Sequence, residues 1–210
     1  MFKAALFDLD GVVFDTEGQY SIFWGEMGRK YFPSISGFEK RIKGMTLVQI
    51  YDQYCPGETE MQRNMTAALN DFEINMSFNY IPGFETFVKS LREKGIKTAV
   101  VTSSNDEKMR NVYNAHPDFK SLFDAILTSE DFKTSKPDPD CYLTAAKRFG
   151  LQPNECVGFE DSINGLKAVR AACMFCVGLA TTNAREVVSQ YSDIVIDDYI
   201  GFSIDMIKKA

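Results

Sequence analysis

The sequence predicts an α/β protein, a doubly wound Rossmann-like parallel sheet core with an inserted all-helical cap domain. Three observations carry this prediction. Short β-rich runs alternate with helical patterns along most of the chain. Those runs are nearly continuous in apolar residues, as strands covered by helices on both faces are. One stretch, residues 15–79, breaks the alternation with helical sequence alone.

In chain order, the first strand is residues 3–8 (KAALFD). Residues 15–79 follow, rich in Met and aromatic side chains ("SIFWGEMGRKYF", "LVQIYDQY") and without a convincing strand. A crossover between strands rarely needs that much chain, so they are expected to form a helical domain inserted into a core of residues 1–14 and 80–210. "YIPGF" at 80–84 carries the Pro-Gly signal of the return hinge. A helix over 83–94 stops at Gly95, before the strand 96–102 (IKTAVVT) and a helix over 106–115. The strand 124–128 (DAILT) leads to a helix over 139–149 that stops at Gly150. The strand 155–160 (ECVGFE), a helix over 162–172, the strand 173–178 (CMFCVG), a helix over 183–191 and the strand 193–197 (DIVID) complete the pattern.

Composition narrows the function. A net charge of -6 without clustered Lys or Arg argues against a nucleic-acid binder, whose affinity comes from basic clusters. A small molecule is the expected partner, and a monomer the expected state. No apolar run approaches a membrane span of about 18 residues, and Met1 leads straight into a strand, so the cytoplasm is the expected location. The five cysteines are expected to be reduced core thiols, with Cys173 and Cys176 placed on opposite faces of one strand. His116, before Pro117, is expected at the surface, and Phe23, Trp24, Tyr31 and Phe32 in the core of the inserted domain.

In an open parallel sheet the binding crevice lies beyond the carboxyl ends of the strands. Asp8 and Asp10 follow the first strand, Thr102, Ser103 and Ser104 the second, Lys136 the third, and Glu160 with Asp161 the fourth. Each has a bland reading: Asp8 and Asp10 as cap and turn residues, Lys136 as a solvated lysine, Glu160 and Asp161 as partners of a helix dipole. Their joint occurrence at four successive strand ends points instead to one cleft. Four carboxylates that close repel one another unless a cation neutralises them, and an all-oxygen set favours Mg²⁺. A phosphate ester suits such a site. Asp8 would then attack phosphorus as a carboxylate nucleophile, and Asp10 would protonate the leaving oxygen and later take a proton from water. Gly11 would let the backbone turn sharply. Mg²⁺ would be held by Asp8, Asp161 and the Asp10 carbonyl, while Lys136 and Thr102 would hold the phosphoryl oxygens.

"DLDGVV", "VVTSSN", "SKPDPD" and "GFEDSINGL", in that order and spacing, resemble the four motifs of the haloacid dehalogenase superfamily of phosphotransferases. The resemblance implies an aspartyl-phosphate pathway with Asp8 as nucleophile, Asp10 as acid and base, Thr102 and Lys136 at the phosphate, and Asp161 as a metal ligand. Glu160 beside it would ligate directly or through water. The helical insertion after the first motif matches the place of a cap in such enzymes. Dehalogenases of the superfamily lack the second acid, so Asp10 argues against that activity.

Within the superfamily the chain looks most like β-phosphoglucomutases and small sugar-phosphate phosphatases. The mutases carry a cap histidine, an arginine in a K-G-x-S-R loop and a lysine after the second motif, where this chain has Tyr20, Leu47 and the run Ser104-Asn105-Asp106. Losing three cationic anchors favours a phosphatase, with a phosphoglucomutase as the alternative and a silent phosphate-binding module as a third reading. Ser103, Ser104 and Asn105 in the core, and Thr16, Lys43 and Thr46 in the insert, are the expected substrate contacts.

Overall fold

The structure, a computed structural model, describes residues 2–207. Six strands form one sheet: β1 (Ala4–Phe7), β2 (Lys97–Val101), β3 (Ala125–Leu127), β4 (Cys156–Glu160), β5 (Phe175–Leu179) and β6 (Ile194–Ile196). Their spatial order is β3-β2-β1-β4-β5-β6, and all pairs are parallel. The order reverses at β1, so the crevice between β1 and its neighbours β2 and β4 is the topological switch point of the sheet. Phe7 pairs with Val100 on one side and Phe159 on the other, which brings Asp8 out level with Val101 and Glu160.

Both faces of the sheet are covered, which accounts for the apolar runs. Ala5 and Phe7 join one buried cluster with Phe84 and Phe87 of α5 (Phe84–Glu93) and Met109 of α6 (Asp106–Ala115). Ala4 and Leu6, alternating with them, join a second cluster with Tyr142 of α7 (Asp140–Arg148) and Leu166 of α8 (Ile163–Ala171). Gly158 lets α8 close on β4, since a Cβ there would lie 2.7 Å from the Val169 methyls. Gly95 and Gly150, with φ of +72° and +68°, follow α5 and α7 in the left-handed conformation that ends helices.

Between β1 and β2 lie α1 (Glu17–Tyr31), α2 (Phe38–Arg41), α3 (Leu47–Tyr54) and α4 (Thr59–Ile74), and no residue of 15–79 joins the sheet. Phe23, Trp24, Phe32, Phe38, Ile50 and Met65 bury one another in a cluster of their own, with Tyr31 packed partly buried against it. The two connections to the sheet pair with each other. The Asp15 amide donates to the Asn79 carbonyl at 2.8 Å, and the Ile81 amide to that of Val13 at 2.9 Å.

Three expectations are corrected. His116 is not a surface residue: it is half-buried, its Nε2 lies 2.7 Å from the Phe78 carbonyl, and its ring stacks on Phe14 at 5.3 Å. Cys173 lies outside β5, exposed in the turn that ends α8, with φ of +59° and its amide bonded to the Arg170 carbonyl at 3.0 Å. That left-handed position is one glycine normally signals, so the sequence concealed it. The last helix, α9 (Arg185–Val188), is shorter than 183–191, because the Gln190 and Tyr191 amides bond the carbonyls of Val187 and Val188, three residues back.

Candidate active site

The strand ends bring the expected residues together. Lys136, 5% exposed, reaches up from the loop after β3 and donates to Asp8 Oδ1 at 2.5 Å, Glu160 Oε1 at 2.6 Å and the Val101 carbonyl at 3.1 Å. Three acceptors from three strands thus fix one ammonium group. Tyr142 of α7 adds a hydroxyl to Glu160 Oε1 at 2.8 Å. Glu160 Oε2 takes the Asp161 amide at 3.2 Å and the Ser162 hydroxyl at 3.3 Å, so both oxygens of this fully buried carboxylate are bonded.

Asp161 is anchored from the next strand end: the Thr182 hydroxyl donates to its Oδ2, and Asn183 Nδ2 donates to its carbonyl at 3.0 Å. Glycine makes room for both acids. A Cβ on Gly11, whose φ is +74°, would fall 2.1 Å from Asp161 Oδ2, and one on Gly165 would fall 2.0 Å from the Glu160 carboxylate. Asp10 lies two residues beyond Asp8. Its Oδ1 accepts the Thr16 hydroxyl at 2.7 Å, and its Oδ2 accepts Lys108 Nζ at 2.5 Å and the Ser104 hydroxyl at 3.3 Å.

The electrostatics follow from burial. Desolvation, aided by the Glu160 and Asp10 charges, pushes the Asp8 carboxyl up to about 7 against the pull of Lys136. Burial and the neighbouring Glu160 likewise raise Asp161 well above the carboxylate range. Burial would discharge Lys136, but Asp8 and Glu160 outweigh it and hold the ammonium charged. Asp8, Glu160 and Asp161 each bring one carboxylate oxygen into a group whose members lie within 4.8 Å of one another. Ionised together with Asp10, they would set four carboxylates against the two buried ammonium groups of Lys136 and Lys108, a deficit of two positive charges. Hard oxygen donors, a two-charge deficit and glycine-cleared space fit a divalent cation such as Mg²⁺.

A cavity of about 480 Å³ opens above these groups, between the sheet and the insert. Asp8, Asp10, Thr102, Ser103, Ser104, Asn105, Lys136, Lys43 and Thr46 all line it. Several have work already. The Thr102 hydroxyl accepts the Ser104 amide at 3.0 Å, Asn105 caps α6 by accepting the Lys108 amide at 2.9 Å, and Thr46 caps α3 in a reciprocal pair with Gln49. Lys43 donates to the Thr182 carbonyl at 3.1 Å and lies 3.8 Å from Glu17. Thr16 is the one that departs from expectation. It is fully buried, off the cavity wall, and its hydroxyl is spent on Asp10.

Lys108, Tyr142 and Thr182 escaped the sequence reading. Thr182 was findable, since it follows β5 as the other polar groups follow their strands. Lys108 also left a signal, because it shares the inward face of α6 with Met109 and Val112. Tyr142 left none: an inward aromatic on α7 reads simply as core.

The chain is similar to known proteins over most of its length. A family model described as haloacid dehalogenase-like hydrolase matches residues 2–172. The chain is 26% identical to validoxylamine A 7'-phosphate phosphatase of Streptomyces hygroscopicus subsp. limoneus over 94% of each protein. It is 28% identical to the β-phosphoglucomutase of Bacillus subtilis over 93% of this chain and 92% of that one. With the chloroplastic protein SUPPRESSOR OF QUENCHING 1 of Arabidopsis thaliana it shares 30% identity over 95% of its own length, but spans only 20% of that larger protein. Among solved structures, a hydrolase from Pseudomonas syringae superposes with a TM-score of 0.83 at 22% identity, covering 99% of this chain and 100% of that one.

Proposed function

We propose, on the premise that the chain belongs to the haloacid dehalogenase-like hydrolases and is a phosphoric monoester hydrolase, that it removes phosphate from a small sugar-like monoester by two displacements at Asp8, with Mg²⁺ as cofactor. The observation that carries this reading is the Lys136 ammonium, fixed between Asp8 and Glu160 on the floor of the cavity.

In this reading Asp8 attacks phosphorus, the alcohol leaves, and water then releases phosphate from the aspartyl group. Lys136 and the Thr102 hydroxyl receive the phosphoryl oxygens as charge moves onto them. Asp10, two residues beyond Asp8, gives its proton to the departing alcohol oxygen and takes one from the water that follows. Asp8, Asp161 and the Asp10 carbonyl would hold Mg²⁺, with Glu160 beside them. When bound, the ion supplies positive charge that lets an anionic carboxylate approach an anionic phosphate. Residues 15–79 act as a cap, closing the cavity from above and keeping bulk water from the reacting groups.

The cavity favours a phosphatase over a mutase. A mutase needs a second cationic anchor for the far phosphate of a bisphosphate. Here Lys43 is engaged by Thr182 and Glu17, Lys108 by Asp10, and among the described residues no arginine lines the cavity. The identity with a β-phosphoglucomutase keeps that activity as the alternative. A screen of sugar, polyol, nucleotide and cofactor phosphates, read as Mg²⁺-dependent phosphate release, tests the reading. Incubation with β-glucose 1-phosphate and a trace of its 1,6-bisphosphate separates the two activities. Free phosphate is expected, and accumulating glucose 6-phosphate with little phosphate would establish the mutase. No release from any ester, with Asp8→Asn indistinguishable from wild type, would leave only a phosphate-binding module.

A further inference from the structure

Lys108 is buried to 3% exposure on α6, in the sheet-bearing core, yet none of the steps above uses it. Its ammonium lies 2.5 Å from Asp10 Oδ2 and 4.7 Å from the centre of the Tyr20 ring. Tyr20, on α1, donates its hydroxyl to Glu73 Oε1 at 2.7 Å, and Glu73, on α4, is itself 7% exposed. One core cation thus touches a proposed catalytic acid on one side and the aromatic face of an inserted helix on the other.

A carboxylate on a short side chain has little to hold its plane unless both oxygens are bonded. In Asp10 they are: Thr16 takes Oδ1, while Lys108 and Ser104 take Oδ2. The lysine bond is the charged one, and in a site closed to water it is the strongest of the three. The same ammonium lies over the Tyr20 face, a cation–π contact worth most when desolvated. Tyr20 is kept in place by the bond to Glu73, and Glu73 needs that hydroxyl because a buried carboxylate without a donor is costly. The chain of contacts runs Glu73, Tyr20, Lys108, Asp10, and crosses from the insert to the core at the lysine.

We propose that Lys108 is a positioning residue for this reaction: it sets the orientation of Asp10 toward the leaving oxygen, and it does so when Tyr20 and Glu73 of the insert are seated over it. The inference rests on the acid role of Asp10 proposed above. Alignment of the acid is thereby tied to seating of the insert, so that proton delivery is ready when the cavity is covered.

Leaving-group dependence tests it, because kcat/KM reports every step up to departure of the alcohol. p-Nitrophenolate departs without a proton, whereas phenolate, being more basic, leaves faster when protonated. Lys108→Met is expected to lower kcat/KM for phenyl phosphate about tenfold or more, a fraction of what general acid catalysis supplies, and for p-nitrophenyl phosphate by less than about threefold. Lys108→Arg should recover much of the phenyl phosphate rate, and adding Lys108→Met to Asp10→Asn should cost nothing further. Tyr20→Phe provides a milder check should Lys108→Met fail to fold. It leaves Glu73 without its hydroxyl, so that Glu73 competes with Asp10 for the lysine, and the same selective loss on phenyl phosphate is expected. Equal losses on both esters, or losses that add to those of Asp10→Asn, would overturn the role of Lys108 while leaving the phosphatase reading intact. Wild-type protein that releases phosphate from neither ester would instead overturn the phosphatase reading, and the role of Lys108 with it.

Discussion

Gly11 shows at the scale of one residue how little freedom the site has. Its φ of +74° disfavours any side chain, and a methyl group there would collide with Asp161 Oδ2 at 2.1 Å. Gly11→Ala is therefore expected to cost about 1–2 kcal/mol of backbone strain and to displace Asp161, lowering phosphate release far more than the urea midpoint. Activity near that of wild type would show that Asp161 can move without consequence. Residues at strand ends, Asp8, Thr102, Lys136, Glu160 and Asp161, were legible because a polar side chain placed where a buried apolar run stops faces the crevice onto which the strand opens. Tyr142 was not, and Lys108 left only its place on the inward face of α6. They reach the site from helix interiors, and the direction of a long side chain is set by tertiary packing rather than by spacing. Thr16 was misplaced because a hydroxyl before a helix reads as a cap or a contact, while here Asp10 claims it.

At the scale of elements, the strands were readable because helices bury them on both sides, and their bounds moved by one or two residues. The connections were harder. A left-handed Cys173 carries no sequence signal, and the helix after β5 gives way to turns closed three residues back. One connection makes a testable clamp. Asp124, at the start of β3, accepts Lys97 Nζ at 2.9 Å and the Thr98 amide at 2.9 Å, tying β3 to β2. Burial alone would raise its carboxyl, but the bonds from Lys97 and Thr98 outweigh it and hold it below the ordinary value. A carboxyl depressed in the folded state contributes stability that is fully present above its unfolded pKa of about 3.9 and is lost as pH falls through the folded value. The gap between the urea midpoints of wild type and Asp124→Asn is expected to hold constant from neutral pH down to about 5 and to shrink below about 4. A gap that persists unchanged into acid would show that the Asp124 charge does not hold β3 to β2.

At the scale of the whole molecule, the cavity is lined by residues of both the insert and the sheet-bearing part. The long helical interruption of the strand pattern was legible, but its contacts with the sheet-bearing part were not, since polar contacts across an interface leave no period in the sequence. Gln49 Nε2 donates to the Lys136 carbonyl at 3.2 Å, and Asn164 Nδ2 to the Gly44 carbonyl at 2.9 Å. The first joins the insert to the loop that carries Lys136, and the second joins it to α8. Removing both, in Gln49→Ala with Asn164→Ala, forfeits these two hydrogen bonds of about 0.5–1.5 kcal/mol each, and Gln49→Ala also removes the acceptor of the Thr46 amide in the cap of α3. The expected result is a rise in KM of about tenfold with a smaller change in kcat, read from steady-state phosphate release. An unchanged KM would mean that seating of the insert does not contribute to substrate binding. Among the described residues no helix is long and apolar enough to cross a membrane.

The claim on which these predictions depend is that Asp8 carries the phosphoryl group, and acid quenching during turnover tests it most directly. Wild-type protein mixed with Mg²⁺ and an aryl phosphate, quenched in acid and digested, is expected to yield a phosphoryl adduct on the peptide bearing Asp8, and Asp8→Asn neither adduct nor turnover. Sustained turnover with no adduct on that peptide, or full activity in Asp8→Asn, would contradict it.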